Sequence, residues 1–121
     1  MTRNARLWLA AMIAVALAAA VVTTTASSNQ AAGTAHQVLI QGFVYDPAVL
    51  PVQAGDTVTW TNRDIVPQTV TAEDADWDSG EILQGETWTM TVTEEAFAEV
   101  SGAYFCRYHP VMRSRLEEAP R

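Results

Sequence analysis

Three residues near the carboxyl end of the chain could bind one metal ion together. Cys106, His109 and Met112 follow the pattern Cys-x-x-His-x-x-Met, which places a thiolate, an imidazole and a thioether on one short segment. This mixture of soft and borderline ligands suits copper better than zinc, calcium or magnesium. In trigonal copper sites that transfer electrons, the thiolate and imidazole bind in the plane and the thioether forms a long axial bond. Such a site also has a second imidazole, which this segment lacks.

Each of these three residues also has an ordinary structural explanation. A free cysteine is often a small buried apolar side chain, and a methionine often fills a gap in a core. A single histidine is most often a surface residue. Cys106 is the one cysteine in the chain, so it cannot form an internal disulfide. The common spacing of the three residues favours metal binding.

The remaining sequence predicts an all-β domain that would position this segment. Short β-branched and aromatic runs are separated by turn residues, and no repeat, heptad or long helical period follows residue 28. We predict a Greek-key sandwich of seven to eight strands in two facing sheets, a fold in which neighbouring strands are often distant in sequence. The predicted strands are 36–41, 43–47, 49–52, 57–62, 68–72, 88–93, 102–106 and 113–118.

Alternation within these strands predicts which side chains form the core. The clearest strand is 57–62, where Val58, Trp60 and Asn62 share one face. The acidic segment 73–80 is predicted to contain turns and one helical turn, and the last strand is expected to fray because Leu116 is its one apolar anchor. The aromatic and methionine core candidates are Trp60, Trp88, Met90, Phe97, Tyr104 and Phe105.

The first 26 residues have the order of an export signal. Two arginines precede an uninterrupted apolar run at 7–22, and small polar residues follow it. We predict a signal helix at 1–26 with cleavage near Ala26, a flexible lead-in at 27–35 and a folded domain at 36–121. The protein would then be periplasmic or extracellular. The alternative is a retained membrane anchor, although the run is shorter than the roughly 20 residues that cross a bilayer as a helix.

The charge of the chain excludes some partners. It has fourteen acidic residues against seven arginines and no lysine, and loss of the two signal arginines would change the net charge from −7 to −9. Nucleic acid and anionic membranes are poor partners for such a surface. We therefore expect a monomer that binds no nucleic acid and has no membrane contact beyond the signal segment. A cationic protein is a plausible partner.

Two segments resemble the small blue copper proteins of the plastocyanin-like cupredoxin family. Residues 103–113 resemble the family's ligand loop, with the short spacing of its amicyanin-like members. Residues 54–63 and 66–70 resemble the segment in which the family has Gly-Asp-Thr-Val-x-Trp-x-Asn and then Pro-His. The resemblance covers residues 36–116. Where the family has its first copper-binding histidine, this chain has Gln68.

The resemblance implies one copper ion that cycles between Cu(I) and Cu(II). Its ligands would be Cys106, His109 and Met112, with Gln68 at the fourth position. An amide oxygen is a harder and weaker ligand than an imidazole, so Gln68 should favour Cu(I) over Cu(II). His36 lies outside both motifs and is given no role, although a copper site formed with a freed amino terminus would include it.

The resemblance also implies the surroundings of the copper. Asn62 and Thr69 would form hydrogen bonds beside the ligands and so tune the metal. Tyr108, Pro110 and Val111 would surround the exposed edge of His109, where a redox protein would dock.

The predicted function is electron transfer by a small exported copper protein, not an enzyme. No Ser-His-Asp set, glycine-rich phosphate loop or open metal position is indicated. Gln68 leaves two other functions open: a carrier or chaperone for Cu(I), and a metal-free sandwich that serves as a binding module.

Overall fold

The computed structural model describes residues 18–23, 33–96 and 102–120. Its eight strands form two four-stranded sheets. The strands are β1 (Ala35–Gln41), β2 (Val44–Asp46), β3 (Val49–Val52), β4 (Thr57–Asn62), β5 (Thr71–Ala72), β6 (Thr87–Thr91), β7 (Ala103–Cys106) and β8 (His109–Glu118). One sheet has the order β2-β1-β4-β6 and the other β3-β8-β7-β5. The predicted all-β sandwich is confirmed.

The sheets are mixed because the chain moves repeatedly between them. β1 pairs with β4 and β3 with β8 in parallel, and the other neighbours are antiparallel. Alternation then determines the inner faces, since successive side chains of a strand point to opposite sides. In β4, Val58, Trp60 and Asn62 are fully buried, as the sequence predicts.

Aromatic rings fill the space between the sheets. The ring of Trp60 is 5.3 Å from that of Trp88 and 5.6 Å from that of Tyr104, and Tyr104 lies edge-on to Tyr45 at 4.8 Å. Edge-to-face pairs of this kind add about 0.5–1.5 kcal/mol to the burial of apolar area. The rings therefore form a continuous core that extends across both sheets to the strand that carries Cys106.

Three of the predicted core residues are not fully buried. Phe105 is half-buried and lies on the opposite face of β7 from Tyr104, with the guanidinium of Arg113 5.8 Å from its ring centre. Strand alternation is the reason, because adjacent residues cannot both point inward. Trp88 and Met90 are partly buried against the core, and Phe97 lies outside the described residues.

The carboxyl-terminal strand differs most from its prediction. β8 has ten residues, begins at His109 and lies between β3 and β7, so fraying at 113–118 was a wrong prediction. Both edges of β8 are hydrogen-bonded, and Met112 and Leu116 are buried on its inner face. Pairing with a strand on each side thus stabilises β8, although β8 has few apolar residues.

Two smaller predictions were also inexact. Residues 73–80 form bends and no helical turn, because Asp78 accepts hydrogen bonds from Gly80 N (2.8 Å) and the Thr71 hydroxyl (3.3 Å) and folds the segment back on β5. The strand predicted at 68–72 is reduced to Thr71–Ala72. Gln68 instead pairs with Ile82 in an isolated bridge.

The amino-terminal segments are largely outside the described residues. Of the predicted signal helix, residues 18–23 are described; they are exposed and have no regular secondary structure. β1 begins at Ala35, the last residue of the predicted lead-in. The described part of the chain has no helix with the length and apolarity needed to cross a bilayer.

Asp56 joins the start of β1 to the turn before β4. Its carboxylate accepts hydrogen bonds from the backbone N–H groups of Thr34 and Gln53, each at 2.9 Å, and lies 2.8 Å from Nε2 of His36. Burial raises the pKa of Asp56, but the hydrogen bonds from His36, Gln53 and Thr34 outweigh it and hold the pKa below its ordinary value of 3.8. His36 therefore has a structural partner.

Replacement of Asp56 should make the fold less stable and less sensitive to acid. A carboxyl with a lower pKa in the folded state stabilises the fold above about pH 4, and this contribution is lost as the pH falls through the folded-state pKa. Asp56→Asn removes one of the two acceptor oxygens for these buried donors. We expect its free energy of unfolding to be about 1–3 kcal/mol below that of the wild type at pH 7. At pH 3 this difference between the two proteins should be smaller. Urea unfolding followed by tryptophan fluorescence measures both. Glu81→Gln, an exposed control, should resemble the wild type; equal stabilities for the two variants would contradict the prediction.

Candidate metal centre

Strand pairing brings residues 68 and 106 together. β5 and β7 are antiparallel, with Thr71 opposite Phe105, so residues just before Thr71 lie beside those just after Phe105. Cys106 ends β7, Arg107 and Tyr108 form a two-residue turn, and His109 begins β8 opposite Cys106. Rigid strand ends therefore hold the cysteine and the histidine.

The side chains of Cys106, His109 and Gln68 meet at one point. The Cys106 thiol donates a hydrogen bond to Oε1 of Gln68 at 3.0 Å, and Nδ1 of His109 lies 3.0 Å from the same oxygen. The sulfur and Nδ1 are 3.6 Å apart. Cys106 and Gln68 are fully buried, whereas His109 is half-buried. The three atoms form a closed triangle, and His109 is its one partly exposed residue.

The sulfur-to-nitrogen edge of this triangle has a length that suits two ligands of one metal ion. At bond lengths of about 2.3 Å to sulfur and about 2.0 Å to nitrogen, known from zinc sites, two ligands of one metal lie about 3.5 Å apart at a near-tetrahedral angle. The observed sulfur-to-nitrogen distance of 3.6 Å agrees with that value. A thiolate, an imidazole and a carbonyl oxygen are a donor set that copper accepts. The residues present therefore fit the metal.

Met112 is buried in the hydrophobic core of the sandwich. It is 3% exposed, lies on β8 three residues after His109 and shares a cluster of buried side chains with Cys106. Among the described residues, no group of three or more His, Cys, Asp or Glu side chains could hold a metal. The candidate site does not form such a group because two of its four proposed ligands are a glutamine and a methionine.

The two residues predicted to support the ligands have different positions. Thr69 lies at the sulfur: its backbone N is 3.4 Å from Sγ of Cys106, and its hydroxyl accepts a hydrogen bond from Arg107 N at 2.8 Å. The side chain of Asn62 instead donates to the carbonyl oxygens of Val66 and Ile82 at 2.9 and 2.8 Å. Thr69 therefore supports the cysteine turn directly, and Asn62 supports the loop before Gln68.

Several solved structures are similar to this chain in fold. The sequence matches no family model and no curated protein. Among solved structures, the Cu(I) form of an amicyanin mutant is 30% identical to the chain, with a TM-score of 0.57, and the match covers 72% of this chain and 84% of that one. The chain belongs to the cupredoxin family. Its fold is amicyanin-like.

Two further matches support the fold alone, because their identity is below 25%. A purple cupredoxin from Nitrosopumilus maritimus is 24% identical, with a TM-score of 0.59, and the match covers 69% of this cupredoxin and 99% of that chain. A copper-containing nitrite reductase from Thermus scotoductus SA-01 is 23% identical, with a TM-score of 0.55 and 69% of this chain covered. This cupredoxin spans 22% of that reductase, so the match concerns one part of a much larger chain.

Tyr45 is a neighbour of the site that the sequence motifs did not indicate. Its hydroxyl donates a hydrogen bond of 2.5 Å to the carbonyl oxygen of Thr69, the residue that contacts the cysteine sulfur. Burial raises the pKa of Tyr45 far above its ordinary value, and Cys106 and Tyr104 raise it further. The phenol therefore stays protonated and remains a hydrogen-bond donor that holds Thr69 in place.

Phe43 is a second neighbour that the motifs missed. Its ring lies edge-on to the ring of His109, with centres 4.8 Å apart. Phe43 is 49% exposed, and Tyr108 (51%), Val111 (92%) and Pro110 are exposed beside the histidine in sequence. We call these four residues the histidine rim. No sequence signal identifies Phe43, because its approach to His109 depends on how β1 and β2 are placed beside β8.

Loss of the Thr69 hydroxyl should weaken the cysteine turn. Thr69→Val keeps the shape of the side chain but leaves the N–H of Arg107 without its acceptor in a partly buried position. We expect a loss of about 1–3 kcal/mol in the free energy of unfolding. Thr59→Val is the matched control, since the Thr59 hydroxyl pairs with that of Thr89 at 2.7 Å on an exposed face. Its effect should stay within about 0.5 kcal/mol; equal effects in urea titrations of the two variants would contradict this role of Thr69.

Proposed function

We propose that this cupredoxin binds one copper ion and carries single electrons between redox proteins outside the cytoplasm. Cys106, His109 and Met112 would hold the metal, with the carbonyl oxygen of Gln68 at the fourth position. The observation that supports this best is the meeting of three donor atoms of different chemistry within 3.0–3.6 Å of one another.

The chain's own residues provide what an electron-transfer site requires. Bound copper supplies a one-electron couple between Cu(II) and Cu(I). Cys106 contributes a strong anionic donor at the end of a strand, and burial keeps water away from its sulfur. The N–H of Thr69, 3.4 Å from that sulfur, stabilises its negative charge. Because these groups are fixed by strand pairing, little needs to move when the charge of the site changes.

His109 would be the route of the electron to a partner. It is the one half-buried member of the triangle, and the histidine rim gives a protein partner an apolar contact around its ring. An exposed apolar patch near a functional group is typical of an interaction surface. The net charge, −7 for the whole chain and −9 without residues 1–26, favours a partner with a basic surface, because opposite charges speed the encounter. We propose that a cationic redox protein docks there.

An enzymatic role is not part of the proposal. The proposal of a carrier follows the small cupredoxins, which match this chain over most of their length. The match to the reductase covers about a fifth of that protein. For localisation, we propose that a signal at 1–26 directs export and that the folded domain begins near residue 36.

Copper uptake and colour test the proposed function. Protein purified after export should bind one equivalent of copper, and the oxidised form should show an intense visible band from thiolate-to-copper charge transfer. Cys106→Ser should abolish that band while the fold is retained. Tight but colourless Cu(I) binding would instead support a copper carrier, and absence of stoichiometric uptake would support a metal-free binding module.

Restoration of the family's histidine should strengthen Cu(II) binding. Gln68→His replaces an amide oxygen with an imidazole nitrogen, a better ligand for Cu(II). We expect higher Cu(II) affinity and a lower midpoint potential, measured by chelator competition and by redox titration. Gln84→His, at an exposed amide outside the site, is the control and should not raise affinity. Unchanged affinity in Gln68→His would mean that residue 68 does not face the metal.

A further inference from the structure

We propose that Asp64 is a positioning residue that determines which end of the Gln68 amide faces the metal site. The proposal deepens the copper-binding function proposed above and rests on it for its effect on metal affinity. The orientation of the amide itself is a property of the metal-free protein.

An amide side chain has two ends of nearly equal shape and opposite chemistry. The oxygen can accept a hydrogen bond or bind a metal, whereas the NH₂ group can only donate. Nε2 of Gln68 donates to Oδ2 of Asp64 at 2.9 Å. A carboxylate has acceptors alone, so it can pair with the NH₂ end but not with the oxygen. Asp64 therefore directs the oxygen of Gln68 towards Cys106 and His109, each 3.0 Å away.

Asp64 is itself held firmly. Its backbone N donates to Oδ1 of Asn62 at 2.9 Å, and its carboxylate accepts hydrogen bonds from the N–H groups of Gly42 (2.7 Å) and Phe43 (3.1 Å). Asn62 is fully buried at the end of β4. A series of hydrogen bonds thus runs from the sandwich core through Asp64 to the amide that faces the thiol.

The same carboxylate holds the turn that covers His109. Gly42 and Phe43 have φ angles of 65° and 60° and form a two-residue turn between paired residues Gln41 and Val44. Hairpin turns of this kind favour glycine, asparagine or aspartate, and the left-handed conformation is unfavourable for phenylalanine. Two N–H groups of this turn bind Asp64, which offsets part of that cost and keeps the Phe43 ring on His109. One side chain therefore positions both the inner ligand and the outer cover.

The first experiment examines the amide in the metal-free protein by NMR. Nε2 of Gln68 and the N–H of Phe43 share one oxygen of Asp64, so the wild type should show a nuclear Overhauser effect between their protons. Asp64→Ala should abolish that effect. Asp64→Asn keeps one acceptor oxygen and should retain part of it. Asp76→Asn removes an exposed carboxylate from a different segment and should leave the signal unchanged.

The second experiment measures copper affinity by chelator competition. Loss of a group that orients a ligand typically lowers metal affinity 10–100-fold, and we expect a decrease of about that size for Asp64→Ala. Asp64→Asn should lie between Asp64→Ala and the wild type, and Asp76→Asn should equal the wild type. Phe43→Asn, which suits the turn and leaves Asp64 in place, should retain more affinity than Asp64→Ala.

The two experiments separate this proposal from the proposed function. If the wild type takes up no copper, the function fails, while the NMR result still decides whether Asp64 orients the amide. A persistent Overhauser effect in Asp64→Ala, or a copper affinity within twofold of the wild type, would overturn the positioning role. Urea unfolding of each variant confirms that the folded state is compared throughout.

Discussion

The arrangement of the site depends on one buried amide that is bound at both ends. The oxygen of Gln68 lies 3.0 Å from the Cys106 sulfur and from the His109 ring, and its nitrogen lies 2.9 Å from the carboxylate of Asp64. A buried polar group must have partners, and a reversed amide would lose hydrogen bonds at both ends. Gln68 is therefore hydrogen-bonded into the site at both ends of its amide. It does more than occupy the place of the family's histidine. In the copper site proposed above, an oxygen in place of an imidazole nitrogen is expected to favour Cu(I) over Cu(II).

The fold contributes by bringing distant segments to one end of the sandwich. β5 beside β7 places Gln68 and Thr69 against Cys106, the turn between β7 and β8 returns the chain to His109, and the hairpin between β1 and β2 lays Phe43 on that ring. The aromatic core and the Asp56 hydrogen bonds hold the sheets that make these meetings possible. The chemistry of the site thus depends on one strand pairing of long sequence separation, β5 with β7, and on two tight hairpins.

Sequence patterns predicted the sandwich well because alternation reports directly on buried faces. Val58, Trp60 and Asn62 could be placed on the inner face of β4 without coordinates, and the ligand spacing marked Cys106 and His109. The patterns failed where position in the sheet outweighs side-chain character. β8 has few apolar residues but lies between two strands, so it extends over ten residues where a weak, frayed strand was predicted. Asp64, Phe43 and Tyr45 were missed for a related reason: they lie in other strands and loops, and no local spacing encodes their contacts with the site.

X-ray absorption at the copper edge tests the central claim most directly, namely that Cys106, His109 and Gln68 surround one metal ion. The account predicts one short sulfur scatterer, together with nitrogen and oxygen scatterers from His109 and Gln68, and it predicts that Cys106→Ser removes the short sulfur. A spectrum with nitrogen and oxygen scatterers alone in the wild type, unchanged in Cys106→Ser, would contradict the account.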